Sequence, residues 1–289
     1  MTTNTRVRGF AVLLAAHLAA GGLAVLIWCL LADWAVLPRT AAADAGAMLL
    51  MFCACYCFKN TSLFDAWWSL APIAMVWTWA AVTDLSFDQP GTLALCVLVT
   101  FWGLRLTANW ASGWQGLHHE DWRYLELQEK TGRGWWLTSL VGLHVYPTTI
   151  VFLCCCPAKF AISSSADWSG WTTLAALVTT LGVLIETVAD LQLHRFRRVA
   201  ENRDQSIQTG LWRWSRHPNY LGELLFWWGL LFFGLSTGEM SPWWALAPAF
   251  LTLMLRFSSI PMMEARLLRT RPGYAELQSR IAPLVPGLP

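Results

Sequence analysis

The chain has 289 residues, of which 56% are hydrophobic and 13% charged, with a formal net charge of +2. The charged share is about half that of a soluble domain. That balance, with the apolar residues in long runs, excludes a disordered chain, a collagen-like fibre and an ordinary soluble enzyme.

Taken in chain order, the uncharged runs that approach the roughly 20 residues of a bilayer-spanning helix are 9–32, 45–58, 66–83, 91–104, 135–156, 170–185, 220–235 and 242–255. They are continuous rather than alternating, which predicts helices and not barrel strands. The expected fold is all-α: a single polytopic membrane domain over 1–289 with about eight spans, and seven to nine defensible because the second and fourth runs are short. Polar segments at about 111–134 and 194–216 and a tail at 261–289 are expected as cytoplasmic.

Basic residues set the orientation. With Arg6 and Arg8 cytoplasmic and eight spans, all 20 basic residues except Arg39 and Lys159 fall on one side, a strong positive-inside asymmetry. Both termini are then cytoplasmic. Asp33, Asp44, Asp84, Asp88, Asp167 and Glu239 take the opposite side. The first run is longer than a signal-peptide core and is followed by others, so an uncleaved helix is expected. The eight Cys all lie within spans and imply no disulfide framework. They read as small buried hydrophobes, although Cys53 and Cys57 share a helix face on which a metal is conceivable.

No dinucleotide fingerprint follows a strand, and no Walker loop or HExxH motif is present. Any chemistry must therefore come from helix ends and polar loops. Charged residues within spans are costly and usually functional. Those here are Arg105, Glu186, Asp190, Glu223 and Arg256, with Glu264 beyond. Glu186 and Asp190, at i and i+4, share one helix face. The neighbouring arginines, Arg197 among them, also fit a snorkelling basic rim. The densest constellation is GLWRWSRHPNYLGE at 210–223, where Arg213, Arg216, His217, Asn219, Tyr220 and Glu223 crowd the mouth of the seventh span. Pro218 suits a helix first turn. A helix N-terminus with arginines nearby is equipped for phosphate. The competing reading of this segment is a basic anchor with Trp212 and Trp214 in the interfacial belt. The group His118 to Tyr124 reads as an amphipathic interfacial helix rather than a metal site. His17 and His144 are expected to be packed or hydrogen-bonded, with a kink near Tyr146 and Pro147.

SRHPNYLGE preceded by GLW, with ETVADLQ, EDWRY, NTSLFDAWW and FWGLRLTAN, resembles the DUF1295 membrane family, bacterial-type relatives of the 3-oxo-5-alpha-steroid 4-dehydrogenases. A weaker RHP-x-Y-x-G pattern is also similar to isoprenylcysteine and phospholipid methyltransferases. The resemblance implies an all-helical bundle that binds NADPH on its cytoplasmic side, and a bacterial inner membrane rather than endoplasmic reticulum. By motif it places Asn219 and Glu223 at the cofactor, with Glu186, Asp190 and Arg197 on the neighbouring helix. Arg105 and Arg256 would hold phosphates, and Glu264 would stand where the reductases have a Tyr. The chain departs from the reductases at Trp102, where they carry a proton-donating Tyr.

The leading expectation is an NADPH-dependent reductase of an enone-like C=C bond in a lipophilic, steroid- or lipid-like substrate. Its catalytic candidates are Glu223, Tyr220 and Asp65; its cofactor ligands are Arg105, Glu186, Asp190, Arg197, Arg213, Arg216, His217, Asn219, Arg256 and Glu264; and no metal is expected. The alternatives are an S-adenosylmethionine-dependent methyltransferase of a lipid or prenyl-cysteine, and a non-catalytic lipid-binding protein.

Overall fold

A computed structural model describes residues 3–83, 89–164, 167–202 and 204–287. The described residues are helical and contain no strand. Two of the acids expected on the outer side, Asp84 and Asp88, lie outside them. Among the described residues, six helical stretches are long and apolar enough to cross a membrane: Thr5–Leu30, Val36–Phe58, Pro90–Gly113, Trp122–Ser163, Gly170–Arg198 and Pro242–Thr270. The chain is thus an integral membrane protein with an all-α fold. The third and seventh expected spans are also helical but shorter: 16 residues at Trp67–Val82 and 18 at Pro218–Leu235.

The chain clusters into two compact units, Met1–Asp84 with Val99–Cys156, and Leu85–Leu98 with Pro157–Pro289. The first unit holds α1 (Thr3–Leu30), α2 (Val36–Phe58), α3 (Trp67–Val82), the second half of α4 (Pro90–Gly113), α5 (Trp122–Thr131) and α6 (Trp135–Thr138). A π-helical turn at Ser139–Val145 leads into α7 (Tyr146–Ser163), which ends in the second unit. That turn immediately precedes Tyr146 and Pro147, where a kink is expected. It buries His144 fully, with Nδ1 2.9 Å from the Ser139 carbonyl. His17 makes the same kind of bond to Leu13. The 118–124 segment ends in the expected amphipathic helix, α5, capped by the Asp121 side chain accepting from the Arg123 amide.

One expected position is corrected here. Asp44 does not lie in an outer loop. Helix α2 begins at Val36, so Asp44 is two turns inside it, buried, and accepts a 3.1 Å bond from Trp67 Nε1. Arg39 tolerates the first turn because its guanidinium sits 4.1 Å from the centroid of the Trp28 ring and donates to the Trp28 carbonyl.

The second unit holds the start of α4, the end of α7, α8 (Gly170–Arg198), α9 (Pro218–Leu235), α10 (Leu246–Met254), a π-helical turn at Leu255–Ser259, α11 (Ile260–Thr270) and α12 (Tyr274–Arg280). One loop assignment is corrected. Residues 194–198 are not loop but the last turn of α8: Leu193 and Phe196 keep the apolar face going, and Arg195, Arg197 and Arg198 suit the negative end of the helix dipole. The tail is largely helical, in α11 and α12.

α8 and α9 pack antiparallel at unusually short range. A Cβ on Gly222 would lie 2.6 Å from the Glu186 amide nitrogen, and one on Gly182 2.6 Å from the Phe226 nitrogen. Gly229 abuts the Thr179 backbone in the same way. Small residues let the two backbones touch, which is how helices associate in membranes where hydrophobicity gives no drive.

Candidate functional site

The segment that joins α8 to α9 is built on the end of α8. Gln192 Oε1 accepts from the Leu211 amide at 2.9 Å, and Trp212 Nε1 donates to the Ala189 carbonyl at 3.0 Å. Gly210 turns there with φ +61°, and a side chain at this position would run into Gln192. Trp212, Ile207 and Ala189 form a small apolar core beneath the loop. The chain then enters α9 with His217 at the N-cap and Pro218 as the first helical residue, where a missing N–H costs nothing.

Behind this mouth lies a buried ionic cluster centred on Glu264 of α11. Its Oε1 accepts from Arg216 Nε at 2.6 Å, His217 Nε2 at 3.1 Å and Tyr274 Oη at 3.3 Å. Its Oε2 accepts from Arg216 Nη2 at 3.2 Å and Gln278 Nε2 at 2.7 Å. Arg216 Nη1 donates to the carbonyls of Gln278 and Ile281. The amides of Arg216 and His217 donate to the Ala282 and Pro283 carbonyls. The cluster therefore pins the C-terminal segment against the start of α9. Burial pushes the Tyr274 phenol up, and the nearby Glu264 carboxylate adds to that.

A cavity of about 250 Å³ opens beside the cluster, walled by the end of α8, the loop, the start of α9, α11 and α12. Of the residues singled out in the sequence, it brings together Arg197, Arg216, His217, Asn219 and Tyr220. Arg271 and Ser206, not foreseen, also line it, and among the described residues no carboxylate does. Arg197 lies within electrostatic reach of Arg271 and Asp190. The His217 and Tyr220 rings stack at 5.4 Å and 16°. Asn219 Oδ1 and Ser206 Oγ are buried and have no hydrogen-bond partner among the described residues. Such orphans are uncommon in folded proteins and mark places where a ligand can bond.

The other expected site residues of this unit stay off that wall. Glu186 is buried at the α8–α9 crossing, and Asp190 lies one turn closer to the cavity. Glu223 accepts from Trp227 Nε1 at 2.7 Å. Arg213 lies by the Trp214 ring and lines a separate surface hollow with Arg280. Arg256 sits in the π-helical turn, 5.4 Å from the Phe257 ring centroid.

Asp65 and Arg105 belong to the first unit. There the NTSLFD segment interlocks with the HHEDWRY segment. Asn60 Nδ2 donates to the Leu117 and His119 carbonyls, the Thr61 amide to Glu120 at 2.6 Å, and the Asp121 amide to Ser62 Oγ at 3.0 Å. Asp65 ends this lock, accepting from Tyr124 Oη at 2.5 Å and Trp110 Nε1 at 3.1 Å. Burial pushes the Asp65 carboxyl up to about 7 against the pull of those bonds. In the sequence Tyr124 stands in an amphipathic segment and in the EDWRY block; its pairing with Asp65 depends on contact across 59 positions. Trp102 is fully buried.

The sequence profile of DUF1295, a family described as proteins of unknown function, matches residues 51–281, so the chain belongs to that family. An uncharacterized protein of Schizosaccharomyces pombe is 24% identical over 256 residues, covering 80% of this chain and 74% of the relative. The protein-S-isoprenylcysteine O-methyltransferase of Saccharomyces cerevisiae is 36% identical over 64 residues, 20% of this chain and 26% of the enzyme. No solved structure matches.

Proposed function

We propose that this DUF1295 protein is a membrane-embedded NADPH-dependent reductase of an enone-like C=C bond in a lipophilic, steroid- or lipid-like substrate, placed in a bacterial inner membrane. The observation that carries the reading is the cavity at the mouth of α9: arginines on its wall, no carboxylate, two orphaned polar atoms, and aromatic rings. That donor set suits an anionic, partly aromatic ligand, and a phosphorylated dinucleotide is one.

The residues fit the cofactor as follows. Arg197 and Arg271 would neutralise phosphate, their charges being otherwise close together on one wall. Arg216 is committed to Glu264 and the tail carbonyls, so its part is to hold the wall. Asn219 and Ser206 would bond polar edges of the nucleotide, and Tyr220 and Phe196 would cover its rings. At about 250 Å³ the cavity falls below the usual 300–1,000 Å³ of small-molecule pockets and suits one half of a dinucleotide. When bound, NADPH supplies a hydride to the beta carbon of the enone. The protein's share is to hold the reacting atoms in register away from water. It must also furnish a proton, for which the Tyr220 hydroxyl at the cavity is the candidate.

A second reading, an S-adenosylmethionine-dependent methyltransferase, is favoured by the local match to the isoprenylcysteine enzyme, whose name describes methyl transfer. Its cofactor would use the same cavity. Thermal stability in detergent with NADPH, NADH and S-adenosylmethionine separates the readings. NADPH at a hundred times its Kd is expected to add about 2.7 kcal/mol. Stabilisation by S-adenosylmethionine alone would overturn the reductase, and silence with all three would favour a non-catalytic lipid binder.

A further inference from the structure

The second unit contains another cavity, of about 450 Å³, at the far end of the α8–α9 pair. Its wall is made by the start of α4, the end of α7, the N-terminal turn of α8 and the end of α9. At 1.5 Å per residue, Thr172 here and Phe196 at the cofactor cavity stand about 36 Å apart along α8. That distance crosses a bilayer core. An α8 that crosses the bilayer would therefore set the two cavities at opposite faces, and this one has no part in the cofactor reading.

Its chemistry differs too. Among the described residues no Arg, Lys or His lines it, so it offers no cationic side chain to a phosphate or carboxylate. Its polar wall is instead made of hydroxyls and an amide: Thr92, Ser164, Thr172, Ser236, Thr237 and Gln89. Each can both donate and accept. Several are held in place by local bonds. Ser236 Oγ donates to the Phe233 carbonyl at 2.8 Å, Thr237 Oγ1 to the Gly234 carbonyl at 2.8 Å, and Thr172 belongs to the capping box with Ser169. Thr92 is the exception. It is only 4% exposed, and its Oγ1 has no partner among the described residues. A hydroxyl buried in an apolar helix without a partner is costly unless a ligand completes it. At the exposed rim stand the Asp167 carboxylate and the indole of Trp168, whose Nε1 is fixed by Thr173 Oγ1 at 2.7 Å.

We propose that this cavity binds a hexose-type polyol, either as a free sugar or as the head group of a glycolipid. Ser236 and Thr237, whose protons go to carbonyls, can accept, while the Thr92 hydroxyl and the Gln89 amide can donate, and such a mixed set matches a ligand whose own hydroxyls do both. A carboxylate can accept from two neighbouring hydroxyls at once, and an indole face covers the apolar C–H side of a sugar ring. The volume lies within the range of small-molecule sites.

The test uses the full-length protein in a sugar-free amphipol, since alkyl glycoside detergents would themselves compete. Melting is followed with glucose, with maltose, with nanodiscs carrying glucosyl diacylglycerol, and with choline. A saturable rise with glucose or maltose assigns a free sugar, and one confined to the glucosyl lipid assigns a glycolipid. In either case Thr92→Val and Asp167→Asn should each weaken the apparent affinity at least fivefold. Asp167 is exposed, so its variant keeps the test usable if Thr92→Val folds poorly. No response to any sugar probe overturns the proposal, as does a sugar response unchanged in both variants. A choline response lost in Asp167→Asn, without a sugar response, also overturns it and would make this an organic-cation site.

Discussion

Glu264 has five donors around it and makes an ion pair with Arg216 at side-chain exposures of 7% and 8%. Removing one partner of a buried pair leaves the other charge uncompensated, at about 3–5 kcal/mol. Glu264→Gln is therefore expected to lower the denaturation midpoint by that order and to loosen α12. Asn219→Ala touches only an orphaned oxygen, so it should leave stability nearly unchanged while weakening NADPH-induced stabilisation roughly tenfold in apparent affinity. Unchanged NADPH binding in Asn219→Ala would mean the cofactor lies elsewhere. Asp65 predicts a pH dependence. Its carboxyl is raised by burial to about 7 in the folded protein, from an ordinary value of 3.8. The folded state then binds the proton more tightly than the unfolded one, so this contribution is full below about pH 4 and is lost as pH rises through about 7. Melting temperatures between pH 5 and 8 should fall with pH in the wild type and more gently in Asp65→Asn. Parallel slopes would remove Asp65 as the titrating group. At this scale the sequence revealed residue types but not partners. Glu264 and Arg216 both looked like cofactor ligands, yet each largely satisfies the other across 48 positions.

At the scale of elements, the α8–α9 crossing decides where the cavities can be. The approach of Gly182, Gly222 and Gly229 to backbone atoms leaves no space for a methyl group. Gly222→Ala must push the helices apart, because the atoms it meets are the Glu186 amide nitrogen and the Gly182 carbonyl oxygen rather than the end of a flexible side chain. Overpacking of this kind costs about 1–3 kcal/mol. Gly22→Ala in α1 is the control: nothing lies within 4 Å of the added carbon, so the change should be neutral or slightly stabilising. Similar losses in both variants would mean that the crossing is not tight. Hydropathy located the helices and missed their ends, for a physical reason. It registers the lipid-exposed middle of a helix, whereas α2 starts nine residues before its expected run through Arg39 and Asp44, whose charge is met by Trp28 and Trp67. The glycines were plain in the sequence, but which backbone each faces is set by the pairing of α8 with α9.

For the whole molecule, the question left to experiment is which compartment each cavity faces. The charge asymmetry of the sequence predicts the 194–216 segment in the cytoplasm and the loop at Asp167 outside, and α8, at 29 residues, is long enough to separate them. Single cysteines at Asp167 and at Gln208, each exposed and at opposite ends of α8, test both statements. The background would have Cys29, Cys53 and Cys57, the exposed native thiols, replaced by alanine; the remaining native cysteines are buried. With a membrane-impermeant maleimide on intact cells, Asp167→Cys should label at once and Gln208→Cys only after permeabilisation. The reverse pattern would keep the span but invert the orientation, bringing sugar chemistry to the cytoplasm and the arginine-lined cavity outside, away from any NADPH supply. Labelling of both from one side would mean that α8 does not cross, and the two cavities would then share a compartment.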